Sequence, residues 1–86
     1  MKGRRLLLFT AKWCRACSGM YGMLEQMTKD ILNLYVDIID IEKQPKLAEK
    51  YHVTSLPKFV LLDENDEVIK VHSGIIAANE LRGWFQ

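Results

Sequence analysis

The residues with the most to offer chemically are Cys14 and Cys17, which stand in the run Trp13-Cys14-Arg15-Ala16-Cys17 and are the only two cysteines of the 86-residue chain. Two intervening residues put the thiols one helical turn apart on one face, a spacing that suits a reversible disulfide. If a helix begins here, its first turn offers unpaired N–H groups and the positive end of its dipole. Both favour a thiolate, and Arg15 acts in the same direction. Cys14 is therefore expected to ionise more readily than a free thiol and to act as the nucleophile. Cys17, further into the helix and facing the core, is expected to stay protonated until it attacks as the resolving cysteine. Two other uses compete. A purely structural bond would close a loop of about four residues and contribute only ~2 kcal/mol on the chain-entropy account. A metal site would need more ligands than one Cys-x-x-Cys supplies, and His52 and His72, twenty residues apart, match no usual zinc spacing. Redox use is the favoured reading of the three.

The elements that must position this pair follow from the apolar pattern. Residues 6–9, Leu-Leu-Leu-Phe, form a continuous apolar run and read as a strand buried on both faces. Cys17, Met20, Leu24, Met27 and Ile31 recur at intervals of three and four, which predicts one helix over about residues 15–30. Gly19 and Gly22 weaken it and are candidates for a packing or bending role. The methionines Met20, Met23 and Met27 read as packing residues rather than ligands. Residues 34–41 are rich in β-branched side chains and predict a second strand, parallel to the first. Pro45 opens a short helix with Leu47, Ala48 and Tyr51 as its apolar positions. Residues 58–62 and 67–72 predict a hairpin around the polar turn Asp63-Glu64-Asn65-Asp66. Ala77, Leu81, Trp84 and Phe85 give a last helix, over about residues 78–85, its apolar stripe. The predicted fold is α/β, in the order β-α-β-α-β-β-α, a four-stranded mixed sheet forming a single domain over residues 1–86.

Composition narrows the classes. Apolar residues at 49% and charged ones at 27% exclude a disordered chain. Twelve basic against eleven acidic residues leave +1, so no global field favours nucleic acid. The start Met1-Lys2-Gly3-Arg4-Arg5 followed by four apolar residues falls short of the roughly 7–15 apolar residues of a secretion signal. Nothing approaches the ~20 of a membrane span. The expectation is a cytoplasmic monomer with no membrane association.

Trp13-Cys14-Arg15-Ala16-Cys17 after a buried strand resembles the active-site segment of the thioredoxin family. A second feature agrees: Thr54-Ser55-Leu56-Pro57 precedes the third strand, where that family has a cis proline against the cysteine pair. Gly74, just after the fourth strand, matches a family glycine beside the site. The resemblance covers essentially the whole chain. It implies a thioredoxin-like fold lacking the usual N-terminal strand and helix, and a thiol–disulfide oxidoreductase that reduces protein disulfides with no bound cofactor beyond its own redox disulfide. It also implies a flavin-dependent thioredoxin reductase as partner, with a glutathione or glutaredoxin-type system as the alternative.

Three departures from the family pattern stand out. The first strand starts near residue 4. The family's buried carboxylate, six residues ahead of the first cysteine, is Leu8, and its lysine partner falls at Ile38. Such a double replacement is self-consistent, because an apolar pair can stand in for a buried ion pair. The dipeptide between the cysteines is Arg-Ala, and the helix-bending proline falls at Gly22.

Glutaredoxin-like, glutathione-coupled reduction is the near rival, disfavoured by Trp13 and by the absence of a Gly-Gly in His72-Ser73-Gly74-Ile75. A non-catalytic binding module of the same fold is the rival from another class. On the family pattern Trp13, Leu56, Pro57, Gly74 and Ile75, with Arg15, form the substrate-binding rim, along which an extended peptide pairs with the backbone around Leu56. Lys12, Arg15 and Lys58 flank that rim, either as plain solubilising charges or as a positive collar that eases ionisation of Cys14 and favours acidic partners. His52, His72 and Trp84 are read as ordinary surface, strand and core residues, and Asp37 and Asp40 as solvent-facing.

Overall fold

The computed structural model describes residues 3–85; Met1, Lys2 and Gln86, and with them the first two residues of the basic start, lie outside the described residues. The four apolar residues at positions 6–9 form the centre of β1 (Arg4–Thr10), and each is at most 1% exposed. β1 is an inner strand of a four-stranded sheet of order β2-β1-β3-β4. It pairs in parallel with β2 (Leu34–Asp40) and antiparallel with β3 (Lys58–Leu62), which pairs antiparallel with β4 (Val68–Ser73).

Side chains alternate across a strand, so the apolar run feeds two cores. Leu6 and Leu8 join Phe59 and Leu61 beneath α2 (Tyr21–Asp30) and α4 (Ala78–Gly83), which contribute Leu24, Met27 and Leu81. Leu7 and Phe9 join Ile39, Val60 and Leu62 on the other face, against Leu47 of α3 (Pro45–Lys50) and Tyr51 just beyond it. Each fully buried Leu or Phe contributes roughly 1.5–3 kcal/mol relative to its exposed state. The continuous run is therefore the main anchor of the site-bearing strand.

The structure corrects several boundaries. The single helix expected over 15–30 is broken into α1 (Arg15–Ser18) and α2. The Met20 N–H bonds the carbonyl of Cys17, three residues back, and α-helical bonding resumes with Leu24 N–H to Met20. The backbone at Gly19 and Met20 stays near helical values, so apolar spacing runs through the break undisturbed. Gly22, read as the substitute for a bending proline, lies inside α2 with nothing near its missing side chain, so the break is at Gly19–Met20 instead. β2 stops at Asp40, and α4 stops at Gly83 with Trp84 as its cap. The sequence of β4 alternates Val68, Lys70 and His72 against Ile69 and Val71, and the structure breaks that alternation. Leu61 pairs with Lys70 and Leu62 with Val68, so Ile69 is an extra residue, a bulge that leaves Val68, Ile69 and Val71 all exposed on an edge strand.

Candidate functional site

Register decides where the site lies. Phe9 at the end of β1 pairs with Lys58, the first residue of β3, and Lys58 pairs with Ser73, the last of β4. The chain leaving β1 for the cysteines, the chain entering β3 through Pro57 and the chain leaving β4 into Gly74 thus share one end of the sheet. Two of these segments are joined directly: the Gly74 N–H donates to the Pro57 carbonyl at 2.7 Å. The Leu56–Pro57 bond is cis. Gly74 has φ +97°, a conformation that strains other residues, although a Cβ there would meet nothing within 4 Å. Backbone conformation, not crowding, calls for glycine.

Past β1 the chain turns through a Cys14 N–H to Ala11 carbonyl bond of 3.0 Å and delivers Cys14 to the N-cap of α1. Cys14 and Cys17 are joined in a disulfide, with Cα atoms 5.4 Å apart. The Cys14 sulfur also accepts the Cys17 backbone N–H at 3.2 Å. This sharpens the electrostatic expectation. α1 has only four residues, too few for the aligned dipole of a long helix, so the local N–H is the group that favours charge on the Cys14 sulfur. The two sulfurs differ in access: Cys17 is fully buried and Cys14 half-buried.

Around the pair, Trp13 and Ile75 are 65% and 63% exposed, Leu56 is half-buried against the second core, and Pro57 is buried. Arg15 and Lys12 are exposed. Lys58 departs from the expected collar. Its ammonium donates to the carbonyls of Tyr51 and His52, at 2.9 and 3.2 Å, and is committed to the end of α3. Asp37 is also engaged, in an ion pair with Arg5, and Asp40 accepts the Glu42 N–H. Leu8 and Ile38 are register partners, with Leu8 fully buried and Ile38 51% exposed, so no charged pair lies at those positions. Among the described residues no group of three or more His, Cys, Asp or Glu could hold a metal ion.

Two contacts had no sequence signal. The Thr10 hydroxyl, buried at the end of β1, hydrogen-bonds the Tyr21 hydroxyl at 2.9 Å and ties the two ends of the redox segment together. The His72 ring bonds the Ile75 carbonyl at 3.1 Å. Both join residues whose nearness depends on where β1, α2 and β4 end.

The family model described as thioredoxin matches residues 1–86. A thioredoxin of Chlamydia trachomatis is 32% identical over 66 residues, covering 77% of this chain and 65% of its own length. A thioredoxin of Buchnera aphidicola is 32% identical over 78 residues, covering 90% of this chain and 71% of its own. The matched part of the chain thus spans about two thirds of the length of these curated relatives. A solved mutant thioredoxin of Halobacterium salinarum superposes with a TM-score of 0.90 at 24% identity, over 98% of this chain and 73% of the other, a likeness of fold.

Proposed function

The chain belongs to the thioredoxin family of thiol–disulfide oxidoreductases, and on that premise we propose that it reduces protein disulfides, with Cys14 attacking and Cys17 resolving. The observation that carries the assignment is the asymmetry of the pair: Cys14 is half-buried and its sulfur accepts an N–H, while Cys17 is shut from solvent.

In the reduced protein the Cys14 thiolate attacks one sulfur of a substrate disulfide. A Cys14–substrate disulfide forms, the substrate S–S bond breaks, and the leaving thiolate takes a proton from water. Cys17 then gives up its proton and attacks the Cys14 sulfur. The second substrate thiolate leaves, the Cys14–Cys17 bond closes, and two electrons have passed to the substrate. With Leu8 and Ile38 where a carboxylate and lysine stand in the family pattern, no charged pair receives the Cys17 proton, and it passes to the departing substrate sulfur. Trp13, Leu56 and Ile75 supply apolar contact to the substrate, and the backbone around Leu56 pairs with it as an extended strand. A reductant restores the dithiol, and a flavin-dependent thioredoxin reductase is the partner family membership favours.

Dithiothreitol-driven insulin reduction tests this. The wild type accelerates precipitation of the insulin B chain and Cys14→Ser falls to the buffer rate. Equal rates for the two end the proposal. Cys17→Ser should accumulate a mixed disulfide through Cys14.

A further inference from the structure

His72 stands in a strand with no motif around it, yet it makes a bond whose position matters. β4 ends at Ser73, and the chain then runs through Gly74 and the exposed Ile75 to Ile76, which is 3% exposed in the first core. This short segment is held at three points. The Gly74 N–H is on the Pro57 carbonyl, the Ile75 carbonyl is on His72 Nε2, and the Ile76 side chain is in the core. A carbonyl oxygen only accepts, so the bond requires a proton on Nε2. The ring is half-buried, with its centroid 6.5 Å from that of the fully buried Phe59, so Nε2 is aimed by packing and not by a mobile stem.

We propose that His72 is a positioning residue for protein substrates: through the Ile75 carbonyl it holds the Gly74–Ile75 rim in the form that an extended substrate meets. It touches neither the sulfurs nor the substrate. Its effect is therefore on recognition of a chain that spans the rim and not on exchange at Cys14. The inference rests on the reading of Trp13, Leu56 and Ile75 as the protein-binding rim.

The test compares kcat/KM for insulin with kcat/KM for a small aromatic disulfide, which reacts at Cys14 without spanning the rim. His72→Phe keeps a ring on Phe59 and loses the donor. His72→Gln returns an N–H near the Nε2 position. The expected result is a drop of about three- to tenfold in the insulin-to-small-disulfide ratio for His72→Phe, the size of one lost hydrogen bond, with recovery in His72→Gln. An unchanged ratio in His72→Phe, including equal losses on both substrates, overturns the proposal. A wild type that fails on insulin while reducing the small disulfide overturns the protein-substrate reading and this inference together. Ring nitrogen NMR of the wild type adds a check independent of any variant: an unprotonated Nε2 on neutral His72 overturns the inference.

Discussion

At one end of the sheet Arg5 reaches both Asp37 and Asp66 at 3.2 Å, one Asp63 carboxylate oxygen accepts the N–H groups of Asn65 and Glu67, and Arg82 pairs with Asp30 at 2.8 Å. At the other end Trp13 and Ile75 face solvent, Gly74 turns at positive φ, and among the described residues no ion pair involves the segments that meet there. At the charged end these side chains are partnered within the chain. The redox end keeps apolar surface uncovered, and covering it is worth about 25 cal/mol per Å² to whatever docks there. Exposed ion pairs add only about 0–1 kcal/mol each. The charged end therefore serves closure of turns more than stability, which comes from the layers between the ends.

Substitutions can break that contrast, and the largest effect should come from neither end. Leu61→Ala in the first core is expected to destabilise by about 2–5 kcal/mol in urea unfolding. A loss under 1 kcal/mol would mean that stability does not come from the layers between the ends. Trp13→Ala should leave the urea midpoint nearly unchanged, within about 0.5 kcal/mol, and lower kcat/KM for insulin about tenfold. A stability loss as large as that of Leu61→Ala would show that Trp13 is core. Asp63→Ala leaves two turn N–H groups without their acceptor, and about 1 kcal/mol of destabilisation is expected with insulin reduction intact. A drop in activity equal to that of Trp13→Ala would erase the division between the ends.

The smallest effect concerns acid. The Arg82 hydrogen bond, followed by that of Gln26, holds the Asp30 carboxyl below its ordinary value of 3.8. A carboxyl lowered in the folded state stabilises above its unfolded pKa, and that contribution is lost as pH falls through the folded pKa. Arg82→Ala should move the Asp30 titration, followed by NMR of its carboxyl carbon, up toward 3.8. An unmoved titration rules out Arg82 as the cause.

Much of this arrangement was legible in the residues. Four consecutive apolar residues mark an inner strand because only a strand covered on both faces buries them all, and β1 does. Spacing also set the strand order in sequence and the hairpin. The helix break escaped because Cys17, Met20, Leu24 and Met27 keep their periodicity across it; the change is in which carbonyl each N–H selects. The bulge at Ile69 escaped because Ile69 and Val71 alternate regularly with Val68, Lys70 and His72, and only pairing with β3 reveals the extra residue. Within the site, Cys14, Cys17 and Pro57 announce themselves by type and spacing. Lys58 and His72 do not, since their partners are backbone carbonyls of residues whose positions depend on the completed fold.

The burial of Cys17 has a kinetic consequence. With one sulfur sealed and the other open, every external partner arrives at Cys14. An oxidised substrate and the reductant that regenerates the dithiol cannot be engaged together. They take turns at a single atom, which calls for ping-pong kinetics with parallel double-reciprocal lines.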